Sequence, residues 1–141
     1  MKRSGIFISI LIFLSSCSVK PRAIAEGVDI CEFCKMTVME KQYAAEFVTV
    51  KGKYYGFDDI QCMHQFLKEN PEMQKDIKNY FVSDFNEPEK LFNAEHAFYF
   101  HSEEIHTPMN GNTVAFSTKE SRAKINTTIK GEEKSWDQII Q

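Results

Sequence analysis

Two thiols and a thioether fall within six residues in Cys31-Glu32-Phe33-Cys34-Lys35-Met36, and Met39 stands three positions further on. Donors of that kind suit a soft ion. Thiolate and thioether sulfur select Cu(I) over harder cations, and Met36 beside the cysteine pair moves the reading from zinc towards copper. In an extended segment Cys34 and Met36, two apart, point to one face and can share one ion. Cys31, Cys34 and Met36 are therefore the first candidate ligands.

Two other function classes use the same residues. Cys31, Cys34, Cys62 and His64 would close a four-ligand site for structural zinc, a set that leaves Met36 unused. A thiol–disulfide pair made by Cys31 and Cys34 needs the motif to open a helix directly after a strand, whereas here a β-like segment follows it. The chain has no G-x-S-x-G, H-E-x-x-H, P-loop or dinucleotide fingerprint, so nothing supports an enzyme of those kinds, and none is expected. Asp58 and Asp59 read as helix caps rather than catalytic carboxylates. Cys62 reads as a buried thiol near a helix start, where thiolate is favoured. His64, His96, His101 and His106 show no paired metal spacing.

The first residues read as an address. Lys2 and Arg3 precede an apolar run from Ile6 to Leu14, which at about ten residues is half the length a membrane-spanning helix needs. Basic, apolar and small residues in that order make a secretory signal, and Leu14-Ser15-Ser16-Cys17 resembles the bacterial lipobox, whose cysteine is acylated. The expected division is a signal peptide over 1–16, a lipid-anchored tether over 17–29 starting at Cys17, and a folded domain over 30–141. Ser18 occupies the position where Asp typically retains lipoproteins at the inner membrane, so the outer membrane is favoured, with the domain facing the periplasm.

Cleavage before Cys17 leaves 125 residues and moves the formal charge from -3 to -5. A mildly acidic chain without a run of Lys and Arg is a poor candidate for nucleic acid, and no such partner is expected. With Cys17 spent on lipid, Cys31, Cys34 and Cys62 remain, an odd number. In an oxidising compartment at least one thiol then lacks a partner within the chain, and metal ligation is a common use for it.

These residues need a scaffold. Ala45 to Val50 and Tyr54 to Phe57, joined by Lys51-Gly52-Lys53, read as a β-hairpin. A helix begins at Asp58, with Asp58-Asp59-Ile60-Gln61 as a capping box, and Asn70-Pro71 ends it. Tyr80 to Phe85 reads as a third strand. The plan then repeats: Ala97 to Phe100 and Thr113 to Phe116 as strands, Ser117-Thr118-Lys119-Glu120 as a second capping box, and a short final helix anchored by Trp136. The fold class is α+β: two small ββαβ-like halves, about 30–88 and 89–141, each a short antiparallel sheet with a packed helix, related by internal duplication.

Taken together, several stretches resemble the NosL-type copper lipoproteins, the nitrous oxide reductase accessory proteins. They are the lipobox at Cys17, Cys31 to Met36, Phe57-Asp58-Asp59-Ile60-Gln61-Cys62-Met63, Val82-Ser83-Asp84, Ala94 with Ala97 to Phe100, Thr107-Pro108-Met109, Val114-Ala115-Phe116 and Trp136-Asp137. The resemblance implies an envelope-anchored Cu(I)-binding protein that delivers copper to an apo-enzyme or its assembly machinery. Carried over residue by residue, it implies Cys34 and Met36 as ligands with Met109 as a distal thioether. Cys31 and Cys62 depart from the plainest family pattern. Those two, with His106 three residues before Met109, leave the full ligand set open.

Overall fold

The computed structural model describes residues 19–141, so the expected signal peptide and Cys17 lie outside the described residues. β1 (Ala45–Thr49) and β2 (Tyr54–Phe57) form the expected hairpin, turned at Gly52, whose φ of +79° suits a residue without Cβ. α1 (Ile60–Glu69) follows, and β3 (Ile77–Ser83) returns antiparallel to β1. β1 is central and every one of its residues is buried. Phe47 stacks on Tyr55 and meets Phe57, Tyr80 and the α1 residue Phe66, so the aromatic face of β1 carries the helix.

The second half repeats the winding. β5 (Phe98–His101) pairs with β6 (Thr113–Phe116), α2 (Lys119–Asn126) follows, and β7 (Glu132–Lys134) returns beside β5. Both sheets share the order second, first, third strand, and Phe57 with Phe116, Asp59 with Thr118, and Ile60 with Lys119 are each 59 residues apart. The α+β class and the two sheet-and-helix halves hold. Trp136, opening α3 (Trp136–Ile140), joins them by packing on Tyr80 of one half and Tyr99 of the other.

Four expectations need correction. Both caps fall one residue later than read: Asp59 accepts the N–H of Gln61, and Thr118 accepts that of Ser121. A strand the sequence reading missed, β4 (Leu91–Asn93), adds to the first sheet beside β3, so the halves meet after residue 93 rather than at 88. Its three residues are too few to show an alternating pattern. The third strand covers Ile77–Ser83 rather than 80–85. Finally, the stretch expected as a tether is docked from Lys20 onward: Tyr54 Oη donates to Lys20 O (2.9 Å), the Arg22 N–H donates to Glu46 (2.8 Å), and Ile24 is buried with Val38 and Ala44.

Candidate metal centre

Residues 30–37 form a tight loop rather than an extended strand. Ile30 and Thr37 bridge, Cys31 N–H donates to Met36 O (2.8 Å), Lys35 N–H donates to Cys31 O (3.1 Å), and Lys35 adopts a left-handed φ of 63°. That turn folds Cys34 back towards Cys31. Glu32 N–H donates to Gly56 O (2.9 Å) and fastens the loop to β2. Because the helix cap is Asp59, Asp58 is free to turn the other way, and it faces the cysteines.

Sulfur atoms of Cys31, Cys34 and Cys62 and a carboxylate oxygen of Asp58 all lie within 4.8 Å of one another. Two sulfurs on opposite sides of one ion at about 2.3 Å would be about 4.6 Å apart, so the cluster needs little contraction to hold one. Cys31, Cys62 and Asp58 are buried, while Cys34 is half-buried and forms the rim. All three thiols are free. Asp58 Oδ2 accepts a hydrogen bond from Cys34 Sγ at 3.4 Å, and its Oδ1 is buried without a hydrogen-bond partner. Among the described residues, no Lys or Arg forms an ion pair with Asp58; Lys35, which adjoins Cys34, pairs with Glu32. A buried carboxylate oxygen left unsatisfied among thiols is an environment that a cation relieves.

The thiols differ in acidity. A hydrogen bond from Cys62, aided by the N–H groups of Asp58, Cys34 and Phe33 and opposed by burial, lowers Cys31 to about 6. Burial, together with Cys31 and Asp58 and against the Met36 N–H, pushes Cys34 up to about 11. Cys62 is raised as well, first by its hydrogen bond to Cys31 and then by burial. Cys31 is thus the most acidic of the three thiols.

Of the residues read from sequence, the fold brings Cys31 and Cys34 together. Met36 is exposed at the loop edge, its N–H directed at the Cys34 sulfur. Met109, fifty residues beyond Asp59, donates its N–H to Asp59 Oδ2 (2.9 Å), next to the Asp58 of the thiol cluster, and its side chain packs against the hydrophobic core, of which Cys31 and Cys62 are two of twelve buried members. Gly111 secures that approach, since a Cβ there would stand 2.6 Å from Gln61 Cβ. Cys62, read as a packing thiol, is a full member of the cluster, and Asp58, read as a cap, is its carboxylate. The signal for Asp58 was available: of two adjacent Asp residues before a helix, only one can cap it.

His64 does not join the cluster. Two residues along a helix from Cys62, it points to nearly the opposite face, so the proposed zinc set of Cys31, Cys34, Cys62 and His64 is not assembled. His106 is exposed and likewise lies outside the cluster. Nor does the Cys31–Cys34 motif open a helix, which removes the geometry of a thioredoxin-like redox pair. In the second half Ser117 occupies the place of Asp58, and its N–H donates to Asp84 (2.8 Å), so a satisfied polar turn stands there.

The model of the NosL family matches residues 22–141. A solved structure, the copper chaperone NosL from Shewanella denitrificans, superposes with a TM-score of 0.73 at 21% identity, covering 86% of this chain and 96% of that one. Among curated proteins, none matches.

Proposed function

The chain belongs to the NosL family, and from that premise we propose that it is a copper-binding chaperone of the bacterial envelope, holding Cu(I) on sulfur and passing it to a copper-accepting protein. The observation that carries this reading is the convergence of three thiols and Asp58 on one spot, with Cys31, Asp58 and Cys62 buried and Cys34 half-buried. The similar structure is of a protein described as a copper chaperone. Cu(I) is cargo here. Thiolates favour it, and it tolerates two or three ligands, so a donor can be exchanged without emptying the site. The thiols of Cys34 and Cys62 lose their protons on loading, and the positive ion replaces the hydrogen between Cys34 and Asp58.

Three sulfurs and a carboxylate also suit Zn(II) in a tetrahedral site. The thioethers favour copper. Met36, exposed in the metal loop, and Met109, packed on the core to which Cys31 and Cys62 belong, are soft donors that need no deprotonation, and they would serve Cu(I) while adding nothing for zinc.

Delivery needs an open face. Of the five large apolar side chains exposed among the described residues, four (Val28, Ile30, Met36 and Met39) flank the metal loop, each at least 49% exposed. A surface that concentrates apolar groups beside a half-buried donor suits an acceptor protein that excludes water while its own sulfur replaces Cys34. The client proposed is nitrous oxide reductase or its assembly machinery, and the anchor is acylated Cys17 in a periplasm-facing membrane, with the outer membrane favoured. Deleting the gene tests the assignment: the reductase should be made but lack copper, and be restored by the wild-type chain and not by Cys34→Ser. Full copper loading without the chain would overturn it.

A further inference from the structure

The end of the first sheet opposite Asp58 gathers cations that the sequence disperses. Lys51 and Lys53 stand on the β1–β2 turn with Val50, which is 61% exposed at its apex. The start of β3 reaches the same end, where Val50 N–H donates to Asp76 O (2.7 Å) and Thr49 pairs with Ile77, bringing Lys75 and Lys78 alongside. Lys20 joins them through the Tyr54 contact. None of these five exposed lysines forms an ion pair among the described residues. Against them stand Glu72 and Asp76, exposed carboxylates of the same turn, and Glu32, whose charge reaches Lys53, in a chain of formal charge -3.

The segment leading towards the N-terminus leaves from this end too. With Lys20 fixed on Tyr54, the three residues back to Cys17 span at most about 10 Å. A lipid on Cys17 would therefore hold this end, and not a freely swinging domain, against the bilayer. One apolar side chain ringed by lysines is the chemistry of a headgroup contact, and a basic patch beside an acyl chain supplies the second of the two signals that stable anchoring uses.

We propose that the Val50–Tyr54 tip, with Lys20, Lys75 and Lys78, rests on an anionic phospholipid surface. The metal centre, at the other end of β2, then faces away from the membrane towards its acceptor. This inference rests on the envelope placement proposed above and is independent of the metal assignment.

The test adds the full chain to vesicles of phosphatidylethanolamine with phosphatidylglycerol, or of phosphatidylcholine alone, and reads lysine acetylation by mass spectrometry. Lys51, Lys53 and Lys75 should react about fivefold more slowly on the anionic vesicles, Lys119 and Lys124 should not change, and about 0.5 M salt should erase the difference. In the double variant Lys51→Glu with Lys53→Glu, the protection of Lys75 should disappear. Equal rates on both vesicles, or uniform slowing of every lysine, would overturn the proposal. Protection found only in native membranes with their proteins would overturn it as well, by assigning the tip to a protein partner. The N-terminal peptide in the same digest reports acylation of Cys17, so a missing anchor is distinguished from a tip that does not touch lipid.

Discussion

Cys34 Sγ stands 3.4 Å from Asp58 Oδ2, one residue before the carboxylate that caps α1. Two adjacent aspartates thus perform separate tasks. Asp59 holds the helix start and Met109, while Asp58 faces the thiols. Asp58→Asn should leave the melting temperature within a few degrees and weaken Cu(I) affinity about tenfold or more, through loss of the charge beside the cluster. Asp59→Ala should do the reverse in part, costing about 1 kcal/mol for the cap alone and more for the freed Met109 N–H. Thermal unfolding alongside competition with a Cu(I) chelator checks both; equal loss of affinity and stability in the two variants would contradict the division of roles.

Met109 offers a way to separate packing from ligation. Leu replaces Met at nearly constant volume, at a stability cost of less than about 1.5 kcal/mol. Met109→Leu should therefore fold normally, keep Zn(II) affinity and lose Cu(I) affinity. Unchanged Cu(I) affinity would leave Met109 as a filler of the hydrophobic core.

Glu46 makes folding stability pH-dependent. It is fully buried on β1, its Oε2 without a hydrogen bond and 3.7 Å from Arg22 Nε, and burial, opposed by the Arg22 N–H and charge, raises it to about 7 from 4.5. The unfolded chain releases this proton near pH 4.5 and the folded chain keeps it to about 7, so between those values the folded state binds more protons and stability falls as pH rises. Urea unfolding should show a loss on the order of 1–3 kcal/mol across that window. Glu46→Gln should remove this component of the slope; an unaltered slope would show that Glu46 is not its source.

How much of this was legible in the residues follows from range. The hairpin, both helices and the duplication depend on local alternation, turns and caps, and these could be read directly. The Cys31–Cys34 pair could be read because its spacing is local. The joining of Cys62 and Asp58 to it could not, since it depends on the Lys35 turn and on which of two aspartates caps α1. β4 was hidden by its length, and the docking of residues 20–29 by its dependence on Glu46, a buried carboxylate no pattern announces.

Metal uptake should stabilise the fold, because the donors come from two separated segments, 31–34 and 58–62, that unfolding disperses. With free ion at about one hundred times its dissociation constant, the gain is about 2.7 kcal/mol, readable as a rise in melting temperature. Cys62→Ser should abolish most of that rise while the apo-protein melts close to the wild type. A Cu(I)-dependent rise that survives the substitution would remove Cys62 from the ligand set.

X-ray absorption on the Cu(I)-loaded chain, titrated anaerobically against Zn(II), tests the central claim most directly. One copper per chain in a shell dominated by sulfur, held in preference to Zn(II) and lost when Cys34 and Met36 are both replaced, is the result the account predicts. A shell of nitrogen and oxygen, no preference over Zn(II), or undiminished binding in the double variant would contradict it.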